Sequence, residues 1–262
     1  MTGGGEAARP RSPATLAVLG TLAAALFLGL LALGTWQVER RTWKLDLIER
    51  VDRRVAAEPA APPGPADWPG VNAADDEYRH IRVTGTFLND RETQVFASTA
   101  LGGGYWVVTP LRTAEGMVVL VNRGFVPTEK RDPATRAAGD IAGPVTVTGL
   151  LRITEPKGGF LRANDPAAER WYSRDVAAIA AARGLADVAP YFIDADATPN
   201  PGGLPVGGLT IIAFPNSHLV YAITWYGLAV MLAGAVLYVV RDERRVRSKP
   251  GGRTASPASG AR

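Results

Sequence analysis

The fold class this sequence predicts is a membrane protein. Two transmembrane α-helices flank a mostly β extracytoplasmic domain, an antiparallel sheet or small barrel with some helix (α+β). Three observations predict it. First, no charged side chain occurs in residues 12–38 or 219–240, and each run has about the 20 residues needed to cross a hydrocarbon core of ~30 Å. Second, the stretch between them holds short β-branched and aromatic runs separated by Gly-rich turns. Third, charge steps sharply across the second apolar run: no Lys or Arg lies between Gly184 and His218, whereas Arg241, Arg244, Arg245, Arg247 and Lys249 follow it.

Taken in order, residues 1–14 read as a cytoplasmic tail, and Ser12-Pro13 as a helix start with Ser as cap and Pro at the first position. Residues 15–38 form the first span. A cleaved signal peptide is the competing reading of this run, but its apolar core exceeds the roughly 7–15 residues of a signal h-region. Trp36, Arg40, Trp43 and Leu47, spaced four, three and four apart, predict that the helix continues over 39–57. Residues 58–76, Pro- and Ala-rich, read as a linker. The domain at 77–217 is expected to contain strands at 80–87, 93–98, 105–111, 117–122, 145–153, 191–193 and 209–214. Gly102-Gly103-Gly104 and residues 113–116 supply turns, and an Ala-rich helix at 173–183 stops at Gly184. Residues 218–240 form the second span, and 241–262 a basic, disordered cytoplasmic tail.

The two spans disagree on orientation. Arg9 and Arg11 precede the first, and Arg40, Arg41 and Lys44 follow it, which alone would put the N-terminus outside. The larger charge step across the second span places both termini in the cytoplasm and the central domain outside. The N-terminal stretch lacks the Arg- and Ser-rich amphipathic character of a mitochondrial leader, so a bacterial inner membrane is the expected location.

Composition excludes several chemistries. With no cysteine there is no disulfide framework, thiolate metal site or covalent c-type haem attachment. Two histidines, far apart, argue against a His-rich metal centre. The sequence contains no G-x-S-x-G, P-loop or H-E-x-x-H motif, and no enzyme is expected. The isoelectric point near 9.6 reflects charge beside the spans and in the tail, so membrane lipid, and not nucleic acid, is the expected partner of these cations.

Two groups stand out. His218, Tyr221 and Trp225 recur at i, i+3 and i+7 at the start of the second span, where a neutral imidazole can ligate haem iron or simply bond the helix start. Trp36, Arg40, Arg41, Trp43 and Lys44, at the end of the first span, suit a planar apolar ring with carboxylates, or an ordinary interfacial belt. Asn122-Arg123-Gly124-Phe125, Trp171 to Asp175, and the pair Asp194 and Asp196 read more simply as structural.

Five blocks carry a resemblance. Gly34-Thr35-Trp36-Gln37 with Arg40 and Trp43-Lys44 opens it. Gly104-Tyr105 with 108–111, then Val119 to Gly124, lies at the centre, and Trp171-Tyr172 with Arg174-Asp175 follows. Asn216, His218-Leu219, Tyr221-Ala222 and Thr224-Trp225 close it. In this order they resemble the Surfeit locus protein 1 family, assembly factors of haem–copper cytochrome c oxidase, in its bacterial type. Phe125 stands where Trp is common, and Val220 where Gln is frequent. The resemblance implies transient binding of haem a and its delivery to oxidase subunit I, with haem a biosynthesis or other assembly proteins as further partners. It implies His218 as iron ligand; on that reading Tyr221, Trp225, Trp36 and Trp43 are expected to cover the ring, and Arg40, Arg41 or Lys44 to neutralise the propionates. The alternative is a membrane-anchored scaffold that binds subunit I without haem.

Overall fold

The computed structural model describes residues 11–159 and 161–248. It forms two compact units, a helical one (chain up to Asp46, and from Phe214) and a β one, Leu47–Ala213.

In the helical unit, α1 (Pro13–Ala56) supplies its residues up to Asp46, and α4 (His218–Ser248) pairs with it antiparallel. Ser12 caps α1 by accepting from the Thr15 N–H at 3.1 Å. Both helices are long and apolar enough to cross a membrane. Less exposed positions of α1 include Ala23, Phe27, Leu30, Gly34, Gln37, Arg41 and Lys44, which alternate by four and three. On α4, His218, Ala222, Trp225, Ala229 and Leu232 repeat by the same rule. This 4–3 alternation is the heptad spacing with which two helices pack along a seam. Small residues let the backbones approach: a Cβ added to Gly34 would meet the Tyr226 ring at 2.8 Å. There Thr35 Oγ1 donates to Leu31 O (3.0 Å), so at 3.0 Å Tyr226 Oη is the donor to Thr35. At the other end Glu243 accepts from Arg11 N and Arg247 Nε, each at 3.0 Å. The helix persists through residues 241–248, the start of the expected disordered tail. The remainder of that tail, 249–262, and residues 1–10 lie outside the described residues.

The β unit contains α2 (Ala73–Asp76), β1 (His80–Phe87), β2 (Thr93–Thr99), β3 (Gly102–Arg112), β4 (Val118–Pro127), β5 (Pro144–Ile153), α3 (Val176–Ala182) and β6 (Val188–Ala195). The sheet order is β1-β5-β6-β4-β3-β2, and a short β1–β3 pairing (Thr86↔Arg112, Phe87↔Leu111) closes five strands into a barrel with β2 outside it. All pairings are antiparallel except β4–β6, which is parallel. The strand alternation explains the interior. Ile81 and Val83 of β1, Val119 and Val121 of β4, and Tyr191 and Ile193 of β6 fill the barrel. The opposite face of β4 and β6, with Leu120 and Phe192, packs under Trp171, Val176 and Ile179 of α3 and the turn before it. Covered on both faces, β4 is buried almost end to end, which accounts for the apolar run Val118 to Val121 at its start.

Three segments differ from expectation. Residues 209–214 form no strand: among the described residues no partner edge takes them, and Ile211 is solvent-exposed. Gly102 to Gly104 are not merely a turn; they pair with Thr99, Ser98 and Ala97 in the β2–β3 ladder. Finally, the Pro-rich stretch 58–76 is an ordered strap. Ala60 bridges to Ile81, Trp68 packs on the barrel core, and Pro63 O accepts from Tyr191 Oη (2.6 Å) and Trp68 Nε1 (3.1 Å). Prolines suit this segment because they forgo hydrogen bonds the strap has no ladder to make.

Candidate functional site

All eight residues singled out in the sequence fall in the helical unit, near the His218 end of the pair. His218, the first residue of α4, reaches across the seam: its Nδ1 lies 2.8 Å from Oε1 of Gln37, which is only 9% exposed on α1. With the amide oxygen as acceptor, Nδ1 carries the imidazole proton and Nε2 keeps its lone pair. The Asn216 Oδ1 and Trp225 Nε1 atoms are buried with no hydrogen-bond partner among the described residues.

His218, Tyr221 and Trp225, spaced i, i+3 and i+7, do not share one environment. His218 and Trp225 lie on the seam, while Tyr221 is 55% exposed beside it. Trp36 and Trp43 are 51% and 49% exposed, open to whatever surrounds the helices. Arg40 stacks on Trp43 (4.7 Å to the ring centroid) and Lys44 Nζ stands 5.1 Å from the Phe214 centroid. Arg41 is half-buried on the seam. Sequence reasoning missed Gln37 as a site residue. The signal was available, since a lone amide within an apolar run sits three residues past Gly34 on the seam period. A groove of about 480 Å³ at the opposite end of the pair is lined by Leu16, Gly20, Ala23 and Ala235. It reflects small side chains and carries no reactive group beyond the paired Glu243 and its neighbouring arginines.

In the β unit the other candidate groups are occupied structurally. The buried carboxylate of Asp194 accepts from Arg152 Nη1 (2.7 Å), Arg174 Nη1 (2.9 Å), Asn122 Nδ2 (2.7 Å) and Thr210 Oγ1 (3.0 Å). Asp196 instead takes the Thr198 N–H at 2.9 Å. Burial alone would lower the Arg152 pKa, but Asp194 and Glu77 outweigh it and raise the pKa above its ordinary value. Arg123 is the extra residue of a bulge in β4, opposite Val107 and Val108. Its Nη2 donates to Gly139 O and to Asn200 Oδ1, its guanidinium lies over Phe87, and burial pushes its pKa down.

The SURF1 family model matches residues 24–230 of this chain. The chain belongs to the SURF1 family. That family is known as a cytochrome c oxidase assembly factor and is not a known enzyme class. Surfeit locus protein 1 of Rattus norvegicus is 40% identical over 212 residues, covering 75% of this chain and 67% of the relative. The Homo sapiens protein of the same name is 40% identical over 214 residues, 75% and 69% of the two chains. A SURF1-like protein of Monosiga brevicollis is 39% identical over 240 residues, 85% and 88%. The SURF1 match takes in Gln37, His218 and all eight residues read from the sequence.

Proposed function

We propose that this chain is a membrane-anchored carrier that takes up haem a and assists its delivery to oxidase subunit I. One observation carries the reading: His218 is held through Nδ1 by Gln37 at the end of the helix pair, which leaves Nε2 as the ligand nitrogen. The surrounding residue types suit such a cargo. Trp36, Trp43 and Tyr221 present exposed rings, Trp225 has a buried N–H without an acceptor among the described residues, and Arg40, Arg41 and Lys44 would neutralise propionates. Haem supplies the iron to be ligated; the chain's part is to offer one imidazole, cover an apolar ring and pair its acids. A single protein ligand fits a carrier, because two strong axial ligands would hinder transfer. The charge step across α4 supports cytoplasmic termini and a β unit on the outer face of a bacterial inner membrane.

The test is to purify the protein from cells making haem a and record its absorption spectrum. A Soret band that disappears in His218→Ala supports carriage. A colourless wild-type protein that still captures subunit I would favour the scaffold reading. One surface of the β unit suits that reading: Phe96, Tyr105 and Tyr172 cluster edge to face, with Arg131 and Arg162 stacked on them.

A further inference from the structure

We infer that Gln37 is a positioning residue that sets the tautomer of His218 and limits its strength as a ligand. The inference rests on the haem reading above, and its first test is independent of haem. A neutral imidazole has one proton. If it sat on Nε2, the nitrogen away from Gln37 would offer no lone pair to a metal. The Gln37 carbonyl oxygen, 2.8 Å from Nδ1, draws the proton inward. Gln37 is 9% exposed on the α1 seam, so its amide has little access to competing water. The close approach at Gly34 and the Tyr226–Thr35 hydrogen bond nearby hold the helices at the separation the contact needs.

The choice of an amide matters as much as its position. Metal-bound histidines commonly donate their second N–H to a carboxylate, which makes the imidazole more basic and a stronger ligand. A carboxylate at residue 37 would also place a charge beside the apolar residues of the first span, where charged side chains are disfavoured. Gln37 orients the ring without either effect. Such a ligand suits cargo that has to leave.

Only two histidines occur in the chain, and the second provides an internal control. Nδ1 of His80 lies 2.8 Å from Ala57 O, a carbonyl that can only accept, so this ring is an Nδ1–H tautomer whatever happens at residue 37. The experiment uses the full-length, haem-free protein with ¹⁵N-labelled histidine in nanodiscs at mildly alkaline pH, read by two-bond ¹H–¹⁵N correlation spectra. Wild type is expected to show both rings as Nδ1–H. Gln37→Leu is expected to shift His218 toward Nε2–H while His80 stays unchanged; Gln37→Glu keeps Nδ1–H. An Nε2–H His218 in wild type, or one indifferent to Gln37→Leu in a folded protein, overturns the inference.

A second arm uses ferric haem as probe. Gln37→Leu should weaken binding by about tenfold or more, and Gln37→Glu should slow transfer to apomyoglobin several-fold. Equal release rates for Gln37→Glu and wild type would overturn the limit on ligand strength. If the tautomer responds but wild type binds no haem, the carrier reading fails and the hydrogen-bond assignment stands.

Discussion

Asp194 shows how much of the β unit can depend on one side chain. Its carboxylate is buried and balances two partly buried guanidinium groups, Arg152 and Arg174, while Asn122 and Thr210 donate to its remaining lone pairs. Asp194→Asn keeps the shape but leaves both arginines short of charge, and should cost about 3 kcal/mol of stability, read as a lower urea midpoint for tryptophan fluorescence. Gly124 is constrained differently. Its φ is +133°, and an added Cβ would run into the Val206 backbone. Gly124→Ala should therefore cost about 2 kcal/mol or more, detectable in the same denaturation. Neither role was legible in the sequence, although both residues were noticed. The partners of Asp194 come from four separate places in the chain, and only the barrel brings them together. His218 stood out because histidine is scarce here; Gln37 did not, because an amide becomes informative only once the helix pairing supplies its partner.

At the level of elements, the strap formed by 58–76 is the clearest difference from expectation and yields a pH prediction. The Tyr191 hydroxyl donates to Pro63 O inside the unit, and burial pushes its pKa well above the ordinary value. The folded state therefore favours the neutral phenol. This contribution is fully present below the unfolded pKa of about 10 and is lost as pH rises above it, since only the unfolded chain then ionises freely. Tyr191→Phe should lower stability by about 1 kcal/mol at neutral pH, no more, because Trp68 Nε1 still bonds Pro63 O. The variant should also lose part of the alkaline destabilisation, as seen in melting temperatures between pH 8 and 11. Strands with alternating pattern, such as β1 and β5, were readable because one face meets the core and the other meets solvent. The strap and 209–214 were not, because proline content speaks to hydrogen bonding and β-branching to propensity, and neither reports whether a partner edge is free.

For the whole molecule, two apolar helices and a β unit were legible because span length and strand period are local properties of a sequence. The choice between an open sheet and a small barrel was not, as closure depends on a β1–β3 contact of only two residue pairs and on the parallel β4–β6 pairing, both remote in sequence. Sidedness rests on the charge step across α4, and the chain is well suited to test it, since it contains no cysteine of its own. Leu101, 56% exposed in the β2–β3 turn, and Ser248, exposed at the end of α4, are positions where a single thiol should cost little. Leu101→Cys should react with a membrane-impermeant maleimide in intact spheroplasts. Ser248→Cys should react only after permeabilisation. The reverse pattern would place the β unit in the cytoplasm, against the positive-inside bias. Labelling of both would mean that the helix pair does not cross the bilayer, and the histidine site would then lie in a different solvent from the one a carrier requires.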